Sequence, residues 1–228
     1  RQRDTRIKSF YVMLKFIDCS INIGGRDCLK RINLTIGPRS LSVIQGESQS
    51  GKTLLLKLAA GIMQCTSGKI TFNGTDLASL TEKNRQAHLK EIGMIESSPQ
   101  VIKRLTVFEN IALPLALHSK YDRYSRDKIS EIMKKLFIFH KRNTPVKYLT
   151  QSEKQVVTMA RCKIKKPSLV LCDNILNSFS SARVESIKAE LIKLLKGGTS
   201  ILIVSPKTNV LSHPAHHIIR LWRGELLE

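Results

Sequence analysis

One stretch of eight residues constrains this chain more than any other. It fits the pattern Gly, four residues, Gly, Lys and then Ser or Thr, which is that of a phosphate-binding loop, and it consists of Gly46, Glu47, Ser48, Gln49, Ser50, Gly51, Lys52 and Thr53. The apolar run 41–45 before it predicts a short buried strand, and the residues after it predict a helix over 52–62. Because a strand, this loop and a helix follow in that order, a glycine-rich turn before an ordinary helix is the weaker interpretation.

The residue types of this loop suit the binding of phosphate groups and Mg²⁺. Glycines allow several backbone N–H groups to converge on phosphate oxygens, and the N-terminus of the following helix adds its positive dipole end. We expect the Lys52 ammonium to reach the β- and γ-phosphates of a nucleotide. We expect the Thr53 hydroxyl to take one position on Mg²⁺.

Buried strands alternate with helices over much of the chain. The predicted strands are 92–95, 169–173 and 200–205, and the predicted helices are 82–92 and 181–196. This alternation indicates a mostly parallel sheet with its ligands at the carboxyl ends of the strands. Short strand patterns around Gly24-Gly25 predict a small antiparallel sheet over 14–36, whereas residues 98–164 are predicted to be mainly helical.

An acidic residue ends one of the predicted buried strands. Asp173 follows the apolar run 169–172 and precedes a polar break. In a phosphate-loop protein, an aspartate in this place holds Mg²⁺ opposite the loop hydroxyl, here Thr53. Many buried strands end in Asp, so the inference depends on the phosphate loop upstream.

Composition excludes several classes of protein. The chain has 228 residues, enough for one large domain or two small ones, and no apolar run approaches the roughly 18 residues that cross a bilayer. Its five cysteines are scattered without a C-x-x-C pair, which indicates reduced and mostly buried thiols. The histidines at 213, 216 and 217 have no cysteine or acidic residue nearby, so we predict no metal site there.

The formal net charge of +20 would favour anionic partners. The 38 basic residues are spread along the whole chain without an arginine-rich block, so solvated lysine-rich faces are the favoured interpretation. No specific nucleic acid is expected as a partner, and a contribution from a membrane surface stays open.

The order of these segments resembles the ATP-binding subunit of ABC transporters from residue 14 to residue 228. The matching residues are the phosphate loop with 54–58, then 61–62, 67–70, 92–95, 105–115 and 223–225. Within this family the chain is similar to the cell-division ATP-binding protein FtsE and its lipoprotein-export relatives. The resemblance implies an α/β P-loop NTPase fold of the ABC nucleotide-binding-domain type over 13–228. It implies a mostly parallel core sheet, a small antiparallel β subdomain and a helical subdomain over about 98–164, and it leaves 1–12 as a basic N-terminal extension.

The resemblance also implies ligands, partners and a location. ATP and Mg²⁺ are the implied ligands. The nucleotide-binding domain is expected to form a homodimer or a heterodimer and to dock onto a membrane-embedded partner, either an FtsX-like protein or another permease subunit. The implied location is the cytoplasmic face of the inner or plasma membrane, where the chain would be peripheral.

The family signature, Leu-Ser-Gly-Gly-Gln or -Glu, is altered in this chain. It corresponds to Leu149-Thr150-Gln151-Ser152-Glu153. Thr150 keeps a hydroxyl for the γ-phosphate of a partner subunit. Both glycines are lost, so we expect the side chains of Gln151 and Ser152 to hinder close approach of the backbone.

Two residues implied in hydrolysis are also replaced. Asn174 follows Asp173 where the family has a glutamate that polarises the attacking water, and an amide cannot accept the proton. Loss of a general base typically costs about 10²–10⁴-fold in rate. Pro206 stands at the position of the family's switch histidine and has no side-chain donor. No catalytic residue is therefore expected to be intact.

Other family positions differ as well. Ser97 falls where a glutamine is usual, with Gln100 as a substitute if the chain shifts slightly. The aromatic residue that stacks on adenine would fall near Asn22 or Ile23, and neither side chain can stack. In the loop after Asp173, Phe179-Ser180 replaces the usual Leu-Asp.

We therefore predict a subunit that binds Mg-ATP and couples nucleotide-dependent dimerisation to a membrane partner, with impaired hydrolysis. The alternatives are a non-hydrolysing scaffold and the ATP-binding subunit of a lipoprotein or other ABC exporter.

Overall fold

The structure of this chain is a computed structural model that describes residues 13–116, 122–177, 179–206 and 216–227. Its strands are β1 Leu14–Ile23, β2 Arg26–Ile36, β3 Leu41–Gln45, β4 Ser67–Phe72, β5 Thr75–Asp76, β6 Ile92–Ile95, β7 Leu169–Asp173, β8 Ser200–Ser205, β9 His216–Trp222 and β10 Glu225–Leu227. Its α-helices are α1 Lys52–Ala59, α2 Glu82–Glu91, α3 Val107–Ala116, α4 Arg123–Lys135, α5 Gln151–Lys165 and α6 Ser181–Lys196. The predicted N-terminal extension, 1–12, lies outside the described residues.

The core of the fold is a six-stranded sheet in the order β10-β9-β3-β8-β7-β6. Neighbouring strands from β9 to β6 run parallel, and β10 pairs with β9 in the antiparallel sense. The residues of β3, β7 and β8 are almost all buried. Strands covered on both faces are continuous apolar runs, which is why the sequence predicted them correctly. The predicted mostly parallel core sheet is confirmed.

The register of this sheet brings the ends of three strands to one edge. Gln45 of β3 lies opposite Ser205 of β8, and Val204 lies opposite Asp173 of β7. The loop after β3 and the residues after β7 and β8 therefore meet at the carboxyl ends of the strands, where ligands bind in sheets of this kind.

A second sheet is antiparallel and has the order β2-β1-β4-β5. Its β1–β2 hairpin turns at Gly24 and Gly25, which have φ angles of 59° and 81°. This is the small antiparallel sheet that the sequence predicted. Helix α1 packs between the two sheets, because its fully buried Leu55 and Leu58 belong to the same apolar cluster as residues of β1, β3 and β8.

Helices α3, α4 and α5 occupy the chain between β6 and β7, as the mainly helical pattern of 98–164 predicted. Apolar side chains of these helices face inward: Val107, Ile111 and Ile129 are all fully buried in one cluster with residues of α5 and of the core sheet. The division of the chain into a nucleotide-binding domain with a separate helical subdomain stays a prediction.

Two features differ from the sequence prediction. Helix α1 ends at Ala59 instead of continuing to residue 62, because Gly61 turns the chain with a φ of 68°. The β9–β10 hairpin was not predicted.

The five cysteines are free thiols, and Cys19, Cys162 and Cys172 are buried, as predicted. Within the described ranges, no helix combines the length and apolar character that crossing a bilayer requires.

Candidate nucleotide-binding site

The phosphate loop connects β3 to α1 and is held together by its own lysine. Helix α1 begins at Lys52, directly after Gly51. The Lys52 ammonium donates hydrogen bonds to the Gly46 carbonyl at 2.8 Å and to the Ser50 hydroxyl at 3.0 Å, and it also contacts the Glu47 carbonyl. Burial lowers the pKa of Lys52 from its ordinary value, whereas the Asp173 and Glu47 carboxylates act in the opposite direction. Lys52 thus occupies the concave side of the loop, where phosphate oxygens would replace these acceptors.

Two glycines of the loop are required by its geometry. Gly51 has a φ of 100°, and a Cβ atom there would lie 2.7 Å from the Leu29 side chain. A Cβ at Gly46 would overlap the carbonyl of Leu221 in β9. These positions explain why the loop needs glycine at both ends, since a side chain at either would push the loop away from its neighbours.

The residues predicted to share Mg²⁺ are in contact. Thr53 Oγ1 donates a hydrogen bond to Asp173 Oδ2 at 3.0 Å, although 120 residues separate them in the chain. Neighbouring ligands of an octahedral Mg²⁺ with bonds of about 2.1 Å lie about 3.0 Å apart. The two oxygens therefore have the spacing and the chemistry of a Mg²⁺ site, in which the ion would neutralise phosphate charge.

Asn174 turns the chain immediately after Asp173. Its φ of 47° lies in the left-handed region, which Asn tolerates better than most residues. Its N–H donates to the Val204 carbonyl at 2.9 Å, which fixes the turn against β8. Its buried Oδ1 has no hydrogen-bond partner among the described residues, so this acceptor is available to a ligand or a water.

One cavity of about 380 Å³ brings these residues together. Its lining consists of five loop residues, Ser48, Gln49, Gly51, Lys52 and Thr53, together with Leu54, Ser97, Asp173, Asn174 and Pro206. Asp173 is the single carboxylate among these lining residues. The cavity can hold phosphates and Mg²⁺, but beyond Asp173 its lining offers no acidic side chain that could take a proton from water.

Gln100 does not replace Ser97 in this cavity. It lines a different cavity, together with Lys57, Glu96 and Arg161, and its carbonyl accepts a hydrogen bond from Arg161 at 2.6 Å. Burial raises the pKa of Glu96, the Asp173 carboxylate acts in the same direction, and Lys57 opposes both. Glu96 was not singled out in the sequence, because a lone acid after a strand has no motif around it.

The altered signature forms the start of α5. Thr150 caps this helix: its hydroxyl accepts the Glu153 N–H at 3.3 Å, and the Glu153 carboxylate accepts the Thr150 N–H at 2.9 Å. The Gln151 side chain donates to the carbonyl of Ser97, which links the signature to the cavity wall. Thr150 and Gln151 are both exposed, so this helix start is open to a second subunit.

Neither residue at the expected adenine position, Asn22 or Ile23, lines the cavities beside the loop. Asn22 is engaged in the β1–β2 turn, where its side chain donates to Asp27 at 2.8 Å and accepts the Gly25 N–H at 3.0 Å. Ile23 is 50% exposed at the tip of the same hairpin. The residues at 213–215 lie outside the described part of the chain, within which no cluster of potential metal ligands occurs.

Comparison with known families decides the assignment. The ABC transporter family model matches residues 29–177, which include the phosphate loop, the altered signature and Asp173. The chain belongs to the ABC transporter family.

Two relatives within this family are similar to a comparable degree. The cell division ATP-binding protein FtsE of Escherichia coli is 30% identical over 207 residues, which are 90% of this chain and 92% of FtsE. The methionine import ATP-binding protein MetN of Vibrio vulnificus is 31% identical over 202 residues, 88% of this chain. The chain spans only 58% of the length of MetN.

A solved ATP-binding cassette has the same fold, with a TM-score of 0.85 and 25% sequence identity over 95% of this chain and 97% of that one. That cassette was solved as a dimer in a post-hydrolysis state, bound to ADP and Pi. The ABC cassette fold that the sequence predicted is therefore confirmed, and cassettes of this family bind ATP.

Proposed function

We propose that this chain is the Mg-ATP-binding subunit of an FtsE/FtsX-like complex and that it hydrolyses ATP slowly or not at all. The observation that carries the proposal is the composition of the 380 Å³ cavity. Lys52, Thr53 and Asp173 are in place to hold phosphates and Mg²⁺. Asn174 and Pro206 line the same cavity at the positions where the family has its general base and its switch histidine.

Each retained residue has a binding role in this proposal. Lys52 neutralises the β- and γ-phosphates, and Thr53 and Asp173 hold Mg²⁺ against them. The backbone N–H groups of the loop and the start of α1 bind the remaining phosphate oxygens. Asn174 can orient a water through its unpaired Oδ1, but its amide cannot take the proton. The nucleotide would therefore remain bound as a structural ligand.

Dimerisation and the membrane partner belong to the same proposal. In this proposal a second subunit contacts the nucleotide through the start of α5; the exposure of Thr150 and Gln151 and the dimeric state of a solved cassette of this fold support it. The alignment with FtsE, which covers 92% of that protein, supports the FtsE type and an FtsX-like membrane partner. The chain would then be peripheral, on the cytoplasmic face of the membrane.

The decisive experiment measures Mg-ATP binding and phosphate release by the wild type, Lys52→Ala and Asn174→Glu. We expect the wild type to bind Mg-ATP and to release phosphate no faster than Lys52→Ala. Asn174→Gln is the matched control, since it lengthens the side chain as glutamate does but supplies no base. Wild-type release that disappears in Lys52→Ala and is as fast as release by Asn174→Glu would refute impaired hydrolysis.

The Asn174→Glu variant identifies which residues impair hydrolysis. Release by Asn174→Glu and not by Asn174→Gln would assign the defect to the missing base, which is worth about 10²–10⁴-fold. If neither Asn174→Glu nor Asn174→Gln releases phosphate, the defect in hydrolysis lies also in Pro206 and the altered signature.

A transporter subunit is the second candidate function, and the 31% identity to MetN favours it. Cross-linking of the tagged chain in its native cells, followed by mass spectrometry of the membrane fraction, separates the two candidates. An FtsX-like protein as the main cross-linked partner supports the first function, and a transport permease supports the second.

A further inference from the structure

A second cavity flanks the phosphate loop, and the proposed function gives it no role. This cavity measures about 460 Å³ and lies between the loop, β2 and the β9–β10 turn. It shares Ser48, Gln49, Gly51 and Leu54 with the cavity that contains Lys52 and Asp173. The two cavities therefore adjoin along the loop, and the second has a volume typical of a small-molecule site, roughly 300–1,000 Å³.

One aromatic side chain stands in the wall of this second cavity. Trp222, the last residue of β9, lines it and is 42% exposed, and it is the only tryptophan of the chain. The guanidinium of Arg223 lies 5.4 Å from the centroid of its ring. An exposed indole beside a phosphate-binding loop is costly to leave in water, and it offers a flat surface on which a nucleobase can stack.

The surrounding backbone fixes Trp222 in this position. Gly224, in the turn after it, packs so closely on β2 that a Cβ atom would lie 2.7 Å from the Cys28 carbonyl. The Gly224 carbonyl also accepts the Lys30 N–H at 2.8 Å. On the other side of Trp222, the Leu221 carbonyl touches Gly46 at the start of the loop. The backbone on both sides of Trp222 is thus held against β2 and the start of the phosphate loop.

We infer that Trp222 is the residue on which the base of the bound nucleotide stacks, in the cavity between β2 and the β9–β10 turn. This inference rests on the proposed function, since the phosphates are placed on the loop. Asn22 and Ile23 do not line this cavity, and the hairpin tip that carries them holds no aromatic side chain. Arg26 and Asp27 at the wall of the cavity supply a hydrogen-bond donor and an acceptor for the ribose or the edge of the base.

The test compares a ligand that has a base with one that has none. Titration calorimetry measures the affinities of Mg-ATP and Mg-tripolyphosphate for the wild type, Trp222→Ala and Trp222→Phe. Loss of a base–aromatic stack should weaken Mg-ATP by about 5- to 100-fold in Trp222→Ala, and Phe should restore most of that affinity. The affinity for tripolyphosphate should be equal in all three proteins.

Two measurements on the wild type remain informative if Trp222→Ala fails to fold. Mg-ATP should quench the fluorescence of the single tryptophan, and tripolyphosphate should not. Mg-ATP should also protect Cys28, which lines the same cavity, from iodoacetamide, while the partly exposed Cys65 outside it reacts at an unchanged rate.

The outcomes separate this inference from the proposed function. Equal affinity of the wild type and Trp222→Ala for Mg-ATP would overturn the role of Trp222 and leave Mg-ATP binding intact. The same conclusion would follow if Mg-ATP changed neither the fluorescence of the wild type nor the reactivity of its Cys28. If the wild type binds neither Mg-ATP nor Mg-tripolyphosphate, the proposed function is refuted instead.

Discussion

Replacement of Lys52 by methionine tests the phosphate site most directly. Methionine keeps most of the length and the apolar stem of the side chain, so Lys52→Met removes the charge and leaves the packing of α1 nearly unchanged. In the free protein the ammonium bonds the Gly46 carbonyl, the Ser50 hydroxyl and the Glu47 carbonyl. On binding nucleotide, Lys52 would exchange these neutral acceptors for charged phosphate oxygens.

The size of the effect follows from this exchange. A hydrogen bond to a charged group contributes about 1.5–3 kcal/mol, whereas a neutral one contributes about 0.5–1.5 kcal/mol. Two charged bonds gained contribute about 3–6 kcal/mol, and the three neutral bonds given up take back about 1.5–4.5 kcal/mol, so the exchange favours binding by about 1.5 kcal/mol. We therefore expect Lys52→Met to weaken Mg-ATP binding by about tenfold.

The assay is titration calorimetry with Mg-ATP, accompanied by thermal unfolding of each variant. The matched control is Lys57→Met, which removes a charge from the same helix. Lys57 lines the separate cavity that contains Glu96. Lys57→Met should bind Mg-ATP like the wild type. An affinity of folded Lys52→Met within about threefold of the wild type would refute the role of this lysine.

The pH dependence supplies an independent check. Burial lowers the pKa of Lys52 from its ordinary value of 10.5, and only the protonated amine can pair with phosphate. Bound phosphate raises that pKa again, so binding takes up a proton wherever free Lys52 has lost one. Mg-ATP affinity of the wild type should therefore fall as pH rises through the lowered pKa, below pH 10.5, and affinity of Lys52→Met should not.

Three further substitutions test other parts of the structure. Gly51→Ala places a Cβ at a φ of 100°, so urea unfolding should show a loss of at least about 1–2 kcal/mol, and unchanged stability would contradict this loop conformation. Thr53→Val should reduce the Mg²⁺ enhancement of ATP affinity by about fivefold while affinity in EDTA is unchanged; an equal loss in both would argue against a Mg²⁺ ligand. Asn110→Ala removes a fully buried amide whose oxygen accepts a hydrogen bond from Arg161, so urea unfolding should show about 3 kcal/mol of destabilisation. A loss of under about 1 kcal/mol would contradict a stabilising role of this hydrogen bond.

Local patterns were enough to predict the framework of this protein. The phosphate loop was predicted because its function depends on residues that are adjacent in the chain. The strands 169–173 and 200–205 were predicted because burial on both faces makes the whole run apolar, whatever its partners are. The contact between Thr53 and Asp173 was also anticipated, since parallel strands bring their carboxyl ends to one edge.

Features that depend on pairing across the chain were missed. Strand β9 has two histidines and an arginine among its apolar residues, so its sequence lacks a clear strand pattern. It becomes a strand because it pairs with β3, for example Leu41 with His216, some 175 residues away in the chain. That pairing places Trp222 beside the phosphate loop, and no local pattern contains this information.

The sequence by itself therefore determined the class of fold, the phosphate-loop motif and the presence of Asn174 and Pro206 at positions implied in hydrolysis, because each depends on a short segment. Only the tertiary structure decided that Ser97, not Gln100, lines the phosphate cavity and that Trp222 lies in the adjoining one. The physical reason is that packing between segments far apart in the chain determines which side chains line the same cavity. The spacing of residues along the chain does not contain this information.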